Sequence, residues 1–237
     1  LTIAAAGEHN VLMIGPPGSG GGLLAKRLPT ILPTLTLPES LETTQIHSVA
    51  GEWPPGSALM DKRPVRVPHH SASTPTLIGG GSIPQPGEVS LAHNGVLFLE
   101  EFSEFSPSVL ESLIRPLVDG KVCMAGVQGR VEFPSRVILI ALMRSCPCGY
   151  FGDLRAFCHC TPPQIERYRS RISKRILDYV DIRIEAPDAS WRELGNDRDE
   201  LSSATLRESV CGARTIQRER FGTDSDMLNG RMTSELV

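Results

Sequence analysis

One short stretch near the start of the chain decides its fold: Val11-Leu12-Met13-Ile14-Gly15-Pro16-Pro17-Gly18-Ser19-Gly20-Gly21-Gly22. The four apolar residues at its start predict a buried parallel strand, and the residues that follow Gly22 predict a helix. A glycine-rich loop between a strand and a helix indicates a phosphate-binding P-loop rather than a chance pattern. In such a loop, backbone N–H groups converge on phosphate oxygens at the positive end of the helix.

The loop departs from the P-loop pattern, G-x-x-x-x-G-K-[ST], at its last two positions. Gly21 and Gly22 stand where the pattern has a Lys for the β- and γ-phosphates and a Ser or Thr for Mg²⁺. We therefore expect a nucleotide-binding cradle that lacks its two chemical side chains. The alternative is a plain glycine turn between strand and helix. The residues of the expected cradle are Gly15, Pro16, Pro17, Gly18, Ser19, Gly20, Gly21 and Gly22.

The composition of the chain excludes several classes of protein. With 237 residues, the chain is long enough for one α/β domain and part of a second. Its net charge of −3 gives no general attraction to nucleic acid. It contains no run of about 18 apolar residues, so we expect no membrane span. The chain starts without Met, which suggests a fragment or a processed chain. It also starts without a signal peptide, and six cysteines in a chain that is not secreted indicate a reducing, cytoplasmic location.

Beyond the P-loop, apolar strands alternate with helices and long connections. This alternation predicts an α/β fold in which helices cover both faces of a parallel sheet. Ligands of such sheets bind beyond the carboxyl ends of the strands, where we expect Gly15, Glu100 and Arg144 to meet. The segment 51–94 is too long for a bare loop and is interpreted as an insertion with short hairpins. The other predicted elements are strands at 95–101, 137–141 and 180–184, helices at 22–28 (ended by Pro29), 37–49, 106–117, 163–176 and 200–220, and a hairpin at 121–133.

Two carboxylates end the second predicted strand. In P-loop enzymes, a strand of this kind ends in an Asp that fixes Mg²⁺ and a Glu that polarises the attacking water. Glu100 is therefore the candidate Mg²⁺ ligand, although its side chain is one methylene longer than that of Asp. Glu101 is the candidate catalytic carboxylate. The alternative is a pair of carboxylates that are merely solvated at the end of a strand.

Four cysteines follow the third predicted strand: Cys146, Cys148, Cys158 and Cys160. Two Cys-x-Cys pairs that flank nine residues can bring four thiols together around a tetrahedral, structural Zn²⁺. Free thiols are the alternative, because Cys-x-x-Cys is the more usual spacing of zinc ligands.

Two further groups of residues are interpreted without a metal or catalytic role. His69, His70 and His93 lack metal-ligand spacing with a carboxylate partner, so we expect them to be ordinary residues of the insertion. The basic run at 167–175 predicts a solvated helix face, with phosphate contact by one of its side chains as the alternative.

Six blocks of the sequence, taken together, carry a family resemblance: 3–28, Pro68-His69-His70, 77–81, 86–99, 146–150 and 167–173. They resemble the magnesium-chelatase-like AAA+ ATPases, and among these the bacterial competence-type branch, whose members are linked to DNA processing. The resemblance implies a AAA+ core at 1–189 with a helix-2 insertion at about 64–94 and a pre-sensor hairpin at about 121–134. It also implies the start of a truncated helical lid at 190–237. The same resemblance implies that like subunits form a hexameric ring and that ATP with Mg²⁺ binds at the interfaces between them.

The departures from the family pattern fall on the residues that carry its chemistry. The family has Lys and Thr at Gly21 and Gly22 and Asp at Glu100. It has a sensor Asn at Arg144 and an arginine finger at Tyr179. The resemblance therefore implies a nucleotide-binding module in which ATP hydrolysis is lost or strongly reduced. Two other functions stay open: a non-catalytic scaffold or DNA-binding ring subunit that binds no nucleotide, and a truncated copy without independent function.

Overall fold

A computed structural model of the chain describes residues 1–126, 129–153, 156–185, 201–222 and 227–232. The chain divides into two compact units. The first unit consists of Leu1–Pro33, Ile140–Ser170 and Val180–Val237, and the second consists of Thr34–Leu139 and Arg171–Tyr179.

Strands and helices alternate along the described residues. The strands are β1 (Val11–Ile14), β2 (Val65–Arg66), β3 (Gly79–Gly80), β4 (Gln85–Pro86), β5 (Gly95–Leu99), β6 (Lys121–Gly126), β7 (Gly129–Pro134), β8 (Val137–Met143) and β9 (Ile182–Glu185). The α-helices are α1 (Thr2–Gly7), α2 (Gly21–Ile31), α3 (Leu37–Val49), α4 (Thr74–Ile78), α5 (Glu88–Leu91), α6 (Pro107–Ser112), α7 (Ile114–Asp119), α8 (Pro162–Arg169), α9 (Lys174–Leu177) and α10 (Ser203–Phe221). Five strands form one sheet in the order β2-β5-β8-β1-β9, and β3–β4 and β6–β7 form two-stranded sheets. The predicted α/β fold, a parallel sheet flanked by helices, is confirmed.

β1 is the central strand of the first unit. Val11 lies opposite Ile140 of β8 on one side and opposite Ile182 of β9 on the other, and both pairings are parallel. The first three side chains of β1 are almost fully buried, as expected for a strand that is covered on both faces. Because hydrogen bonds fix both edges of β1, the P-loop that follows it starts from a well-defined position.

Helix α2 follows the P-loop and extends beyond the end that the sequence predicts. The helix reaches Ile31, so Pro29 lies inside it and the predicted break at this proline is wrong. A proline removes one backbone hydrogen bond, and contacts made by the last turn compensate for the loss. Leu28 and Ile31 are buried, and the Arg207 guanidinium donates two hydrogen bonds to the Thr30 carbonyl. These contacts hold the last turn in the helix.

The second unit contains the predicted insertion and the predicted hairpin. The insertion holds β2, α4, the β3–β4 hairpin and α5, so the described segment contains one of the short hairpins that the sequence predicts, together with two short helices that it does not. Within it, the Arg66 guanidinium lies 2.6 Å from a Glu88 oxygen and 2.8 Å from a Glu52 oxygen. The hairpin predicted at 121–133 is confirmed as β6 and β7, in which Lys121 lies opposite Pro134.

Two helices that the sequence predicts as continuous are each divided in two. The helix expected at 106–117 is formed by α6 and α7. Pro116 has no N–H to donate to the Ser112 carbonyl, which explains why α6 ends at Ser112. The helix expected at 163–176 is formed by α8 and α9. The chain passes from the first unit to the second between Ser170 and Arg171, in the gap between these two helices.

Helix α10 packs against α1 and α2 in the first unit, and it confirms the helix predicted at 200–220. The Arg214 side chain is buried; its Nε and Nη2 donate to the Ala5 carbonyl at 3.0 and 2.7 Å, and its Nη1 contacts Glu8 at 3.1 Å. Gln217 donates to the Ala6 carbonyl at 3.1 Å. Because the last carbonyl groups of a helix have no partner within it, these side chains supply the partners that the end of α1 needs. The start of the predicted lid, at 190–200, lies outside the described residues.

Within the described ranges, none of the helices has both the length and the apolar composition that crossing a bilayer requires.

The Arg214→Ala substitution should lower the free energy of unfolding by about 2 kcal/mol, because it removes both hydrogen bonds that the Arg214 side chain donates to the Ala5 carbonyl, whereas Glu8 keeps its ion pair with Arg231. Arg218 is exposed on the same helix, so Arg218→Ala is a matched control that should change stability by less than about 0.5 kcal/mol. Urea unfolding followed by circular dichroism measures both changes. Equal losses in the two variants would contradict a stabilising role for the bonds between α1 and α10.

Candidate functional site

The P-loop connects β1 to α2, as the sequence predicts. The Gly15 N–H donates to the carbonyl of Met143, the last residue of β8, at 3.2 Å. Gly18 and Gly20 have φ angles of 87° and 76°, in the region that glycine enters without a steric penalty. The loop therefore needs glycine at the two positions where the chain turns toward the helix.

The start of α2 can bind an anion. The helix begins at Gly21, with Gly20 as its N-cap residue. The first N–H groups of a helix have no acceptor within it, and the positive end of the helix dipole lies beside them. Pro17, Gly18 and Gly20 are exposed to solvent, so a ligand can approach the loop. This arrangement can bind a phosphate group through the backbone alone.

Little space is left beside Gly21, where the P-loop pattern has its Lys. Gly21 is buried, and a Cβ atom on it would lie 3.0 Å from Leu142 Cδ1 and 3.6 Å from Met13 Cε. Both of these atoms are the ends of flexible side chains. The first atom of a side chain at this position therefore requires a shift of a few tenths of an ångström in its neighbours rather than a change of the backbone.

Glu101, the candidate catalytic carboxylate, lies in the second unit and has an unusual backbone conformation. Its φ and ψ angles are 53° and 46°, in the left-handed region that residues with side chains seldom adopt. Its Oε2 atom lies 2.9 Å from Nδ1 of His70 in the insertion. The two side chains are 48% and 33% exposed, so water screens their interaction. Spacing along the sequence gives no sign of this contact, because it joins residues on separate elements.

The residues expected to meet at one crevice belong to different units. Gly15 and Arg144 lie in the first unit, whereas Glu100, Glu101 and Tyr179 lie in the second. Arg144 is exposed and Glu100 is half-buried. Their convergence on one nucleotide therefore stays a prediction.

Two exposed arginines of the basic run at 167–175 also form hydrogen bonds with other parts of the protein. Arg169 Nε donates to the Ser145 carbonyl at 3.2 Å in the first unit. Arg171 Nη1 donates to Glu104 at 2.8 Å in the second unit. Both arginines are exposed, and each is held at one side by a protein partner. His93, in contrast, is fully buried: its Nδ1 accepts from the Arg136 N–H at 3.0 Å and its Nε2 lies 3.1 Å from Glu42.

The four predicted cysteine ligands lie together in the loop after β8. All four Sγ atoms lie within 4.8 Å of one another. The Sγ of Cys146 is 3.3 Å from that of Cys148 and 3.7 Å from that of Cys158, and the last two sulfurs are 3.6 Å apart. Four sulfurs bound tetrahedrally at a Zn–S distance of about 2.3 Å are about 3.8 Å apart. With Cys160 as the fourth ligand, the cluster has the dimensions needed to bind a metal ion.

The Cys148 and Cys160 thiols do not ionise at the same pH in the absence of a metal. A hydrogen bond from the Tyr150 backbone lowers the pKa of the Cys148 thiol to about 6. A hydrogen bond from the Cys148 backbone also lowers the pKa of Cys160. Partial loss of water and the sulfurs of Cys148 and Cys146 nevertheless outweigh that bond and raise this pKa to about 12. A bound cation would remove the conflict, because thiolates are its ligands and their charges would be neutralised.

Known proteins resemble this chain over nearly its whole length. Residues 1–194 match the family described as "Magnesium chelatase, subunit ChlI". Competence protein ComM of Haemophilus influenzae is 43% identical over 239 residues, which cover 98% of this chain and 45% of ComM. YifB of Salmonella typhimurium is 40% identical over 238 residues, which cover 98% of this chain and 45% of YifB. The chain therefore spans less than half the length of these relatives. It belongs to the magnesium-chelatase-like AAA+ family, of the ComM and YifB type.

Proposed function

We propose that this chain is a nucleotide-binding module that binds the phosphates of ATP weakly at residues 15–22 and hydrolyses ATP slowly or not at all. The observation that carries the proposal is the glycine loop between β1 and the positive end of α2. Backbone N–H groups in this position bind phosphate without help from side chains. Family membership supports ATP with Mg²⁺ as the ligand.

The expected loss of affinity and rate follows from the missing side chains. Without the Lys at Gly21, the loop lacks charge-assisted hydrogen bonds worth about 1.5–3 kcal/mol. Without an arginine finger at Tyr179, a rate loss of about 10³-fold or more is expected. Effects of neighbouring catalytic groups are not additive, but these losses act in the same direction. Lys26 does not replace the missing Lys, because it lies about 7.5 Å farther along the helix than Gly21.

The remaining roles in this proposal are carried over from the family. Glu100 contacts Mg²⁺, and Glu101 orients the attacking water. Like subunits form a hexameric ring in the cytoplasm, and the ring acts on DNA or on a protein partner.

A non-catalytic scaffold or DNA-binding ring subunit is the second candidate function. It is favoured by the glycines at positions 21 and 22 and by the contact of Glu101 with His70, which engages the carboxylate that a hydrolysing site would need. This function would keep the fold and the ring partners without binding a nucleotide.

Titration with a fluorescent ATP analogue in the presence of Mg²⁺ distinguishes the two functions. The proposal predicts weak but saturable binding. The absence of saturable binding up to millimolar concentration would favour the scaffold.

Restoring the two missing side chains should recover affinity before turnover. The Gly21→Lys/Gly22→Thr variant should bind ATP about tenfold or more tightly than the parent, because the ammonium group gains charge-assisted bonds to phosphate. Hydrolysis should stay near background, since Glu100, Arg144 and Tyr179 are unchanged. Gly21→Met/Gly22→Thr is the matched control: it adds a side chain of similar length without the charge. If the Lys variant binds no better than the Met variant, then the loop is not a latent P-loop.

The metal that we propose for the cysteine cluster is one structural Zn²⁺. Four thiolates in a tetrahedral set favour zinc, which is bound in closed sites of this kind. Elemental analysis of the chain, purified without chelator, should find about one zinc per chain. Cys158→Ser should reduce the zinc content strongly. Cys211→Ser changes an exposed cysteine on α10 and should leave the zinc content unchanged; zinc loss in both variants or in neither would contradict the site.

A further inference from the structure

We propose that the metal-bound cysteine loop fixes the shape of the P-loop, by holding Gly149 against Pro17. The cysteine loop comprises the described residues 144–153 and 156–160. This inference rests on the proposed function, because it takes residues 15–22 as the phosphate-binding loop and the four cysteines as a metal site. Its consequence is that metal occupancy controls how well the backbone N–H groups of the P-loop are ordered for phosphate.

The two loops start next to each other. β1 and β8 are paired in parallel, with Ile14 opposite Met143. The hydrogen bond from the Gly15 N–H to the Met143 carbonyl, at 3.2 Å, joins the first residue of the P-loop to the last residue of β8. The cysteine loop begins with the next residue, Arg144. Both loops therefore leave the sheet at the same level, on adjacent strands.

The cysteine loop then returns onto the P-loop at Gly149. A Cβ atom on Gly149 would lie 2.6 Å from Cδ and 3.0 Å from Cγ of Pro17, so the glycine backbone packs directly on the proline ring. The same Cβ would lie 3.3 Å from Cδ of Arg144, at the position of the family's sensor Asn. Gly149 thus packs against both the P-loop and the Arg144 side chain, and it leaves no room there for a side chain of its own.

The position of Gly149 depends on the cysteine cluster. Its N–H donates to the carbonyl of Cys146 at 3.0 Å and contacts the Sγ of the same residue at 3.2 Å. The Ser145 hydroxyl donates to the Gly149 carbonyl at 3.2 Å. Cys146 is fully buried, and its sulfur is shared with the cluster. A metal ion that fixes Cys146 relative to Cys158 and Cys160 therefore also fixes Gly149.

Helix α8 holds the outer side of the cysteine loop. Arg169 donates to the Ser145 carbonyl at 3.2 Å, and its guanidinium lies 5.2 Å from the centre of the Phe151 ring. These contacts involve exposed groups and are weak. When the metal is removed, they are too weak to replace the four metal–sulfur bonds, and we expect Gly149 to move away from Pro17.

A pair of glycine substitutions tests the contact itself. Gly149→Ala places a methyl group against Pro17, whereas Gly152→Ala places one where no atom of the described residues lies within 4 Å. The two glycines have φ angles of 90° and 86°, so both substitutions strain the backbone alike. Hydrogen–deuterium exchange of the P-loop amides should become about fivefold faster in Gly149→Ala, as a loss of stability of the size typical of point mutations implies. Exchange in Gly152→Ala should match the parent, and equal exchange in the two variants would overturn the proposal.

Metal removal tests the link to the cluster. Stripping zinc from the parent chain with a chelator should accelerate the same exchange. In Pro17→Ala, which lacks the ring that Gly149 contacts, stripping zinc should have little further effect, because two changes that act through one contact are not additive. If Gly149→Ala itself loses zinc, the comparison of zinc removal in the parent chain and in Pro17→Ala tests whether the metal acts through the contact with Pro17. An undiminished effect of zinc removal in Pro17→Ala would overturn the proposal, as would a parent chain that takes up no zinc.

The exchange measurements need no nucleotide, so the two proposals can fail separately. Absence of ATP binding together with coupled exchange would contradict the proposed function and leave the link between the metal and the P-loop intact. ATP binding together with exchange that does not depend on the metal would support the proposed function and contradict the link between the metal and the P-loop.

Discussion

The parallel pairing of β1 with β8 is the constraint on which the candidate site depends. It sets the carboxyl ends of two strands side by side, although most of the described helices and strands lie between them in sequence. The P-loop and the cysteine loop follow from these two ends. Because the ends are adjacent, a single glycine backbone is enough to bring the loops into contact. Any change that shifted the register of this pair would move Gly149 away from Pro17 as well.

Much of the fold could be predicted because several elements carry their own boundary signals. Helix α3 runs from Leu37 to Val49 as predicted, since Thr36 and Glu39 form a capping box at its start. The β6–β7 hairpin is equally local. The errors arise where contacts distant in sequence outweigh local preference. Pro29 stays inside α2 because residues of α10 support that turn, and no periodicity in the sequence around this proline indicates such support.

The candidate site likewise combines local features that the sequence predicts with contacts between distant segments that it does not. The cysteine cluster could be predicted from spacing, since its four cysteines lie on one loop and need only that loop to close on itself. The contacts of Gly149 with Pro17 and of His70 with Glu101 could not, because each joins segments that only the fold brings together. One local signal does exist for Gly149: a glycine directly after Cys146-Pro147-Cys148 is suited to the positive φ that such a turn requires.

The structure also explains how the P-loop can keep its shape without its chemical side chains. Its conformation depends on the strand before it, on glycines at positive φ and on packing by the cysteine loop, and none of these requires a Lys or Thr. The missing side chains would act on the ligand, so their absence lowers affinity and rate without removing a contact that holds the loop. Gly149 differs from these missing side chains, because its backbone packs on Pro17 and so acts on the shape of the P-loop rather than on a ligand. The side chains that would act on phosphate, at positions 21 and 22, and the glycine that packs on the loop from outside are therefore different residues of this chain, so they can be substituted separately.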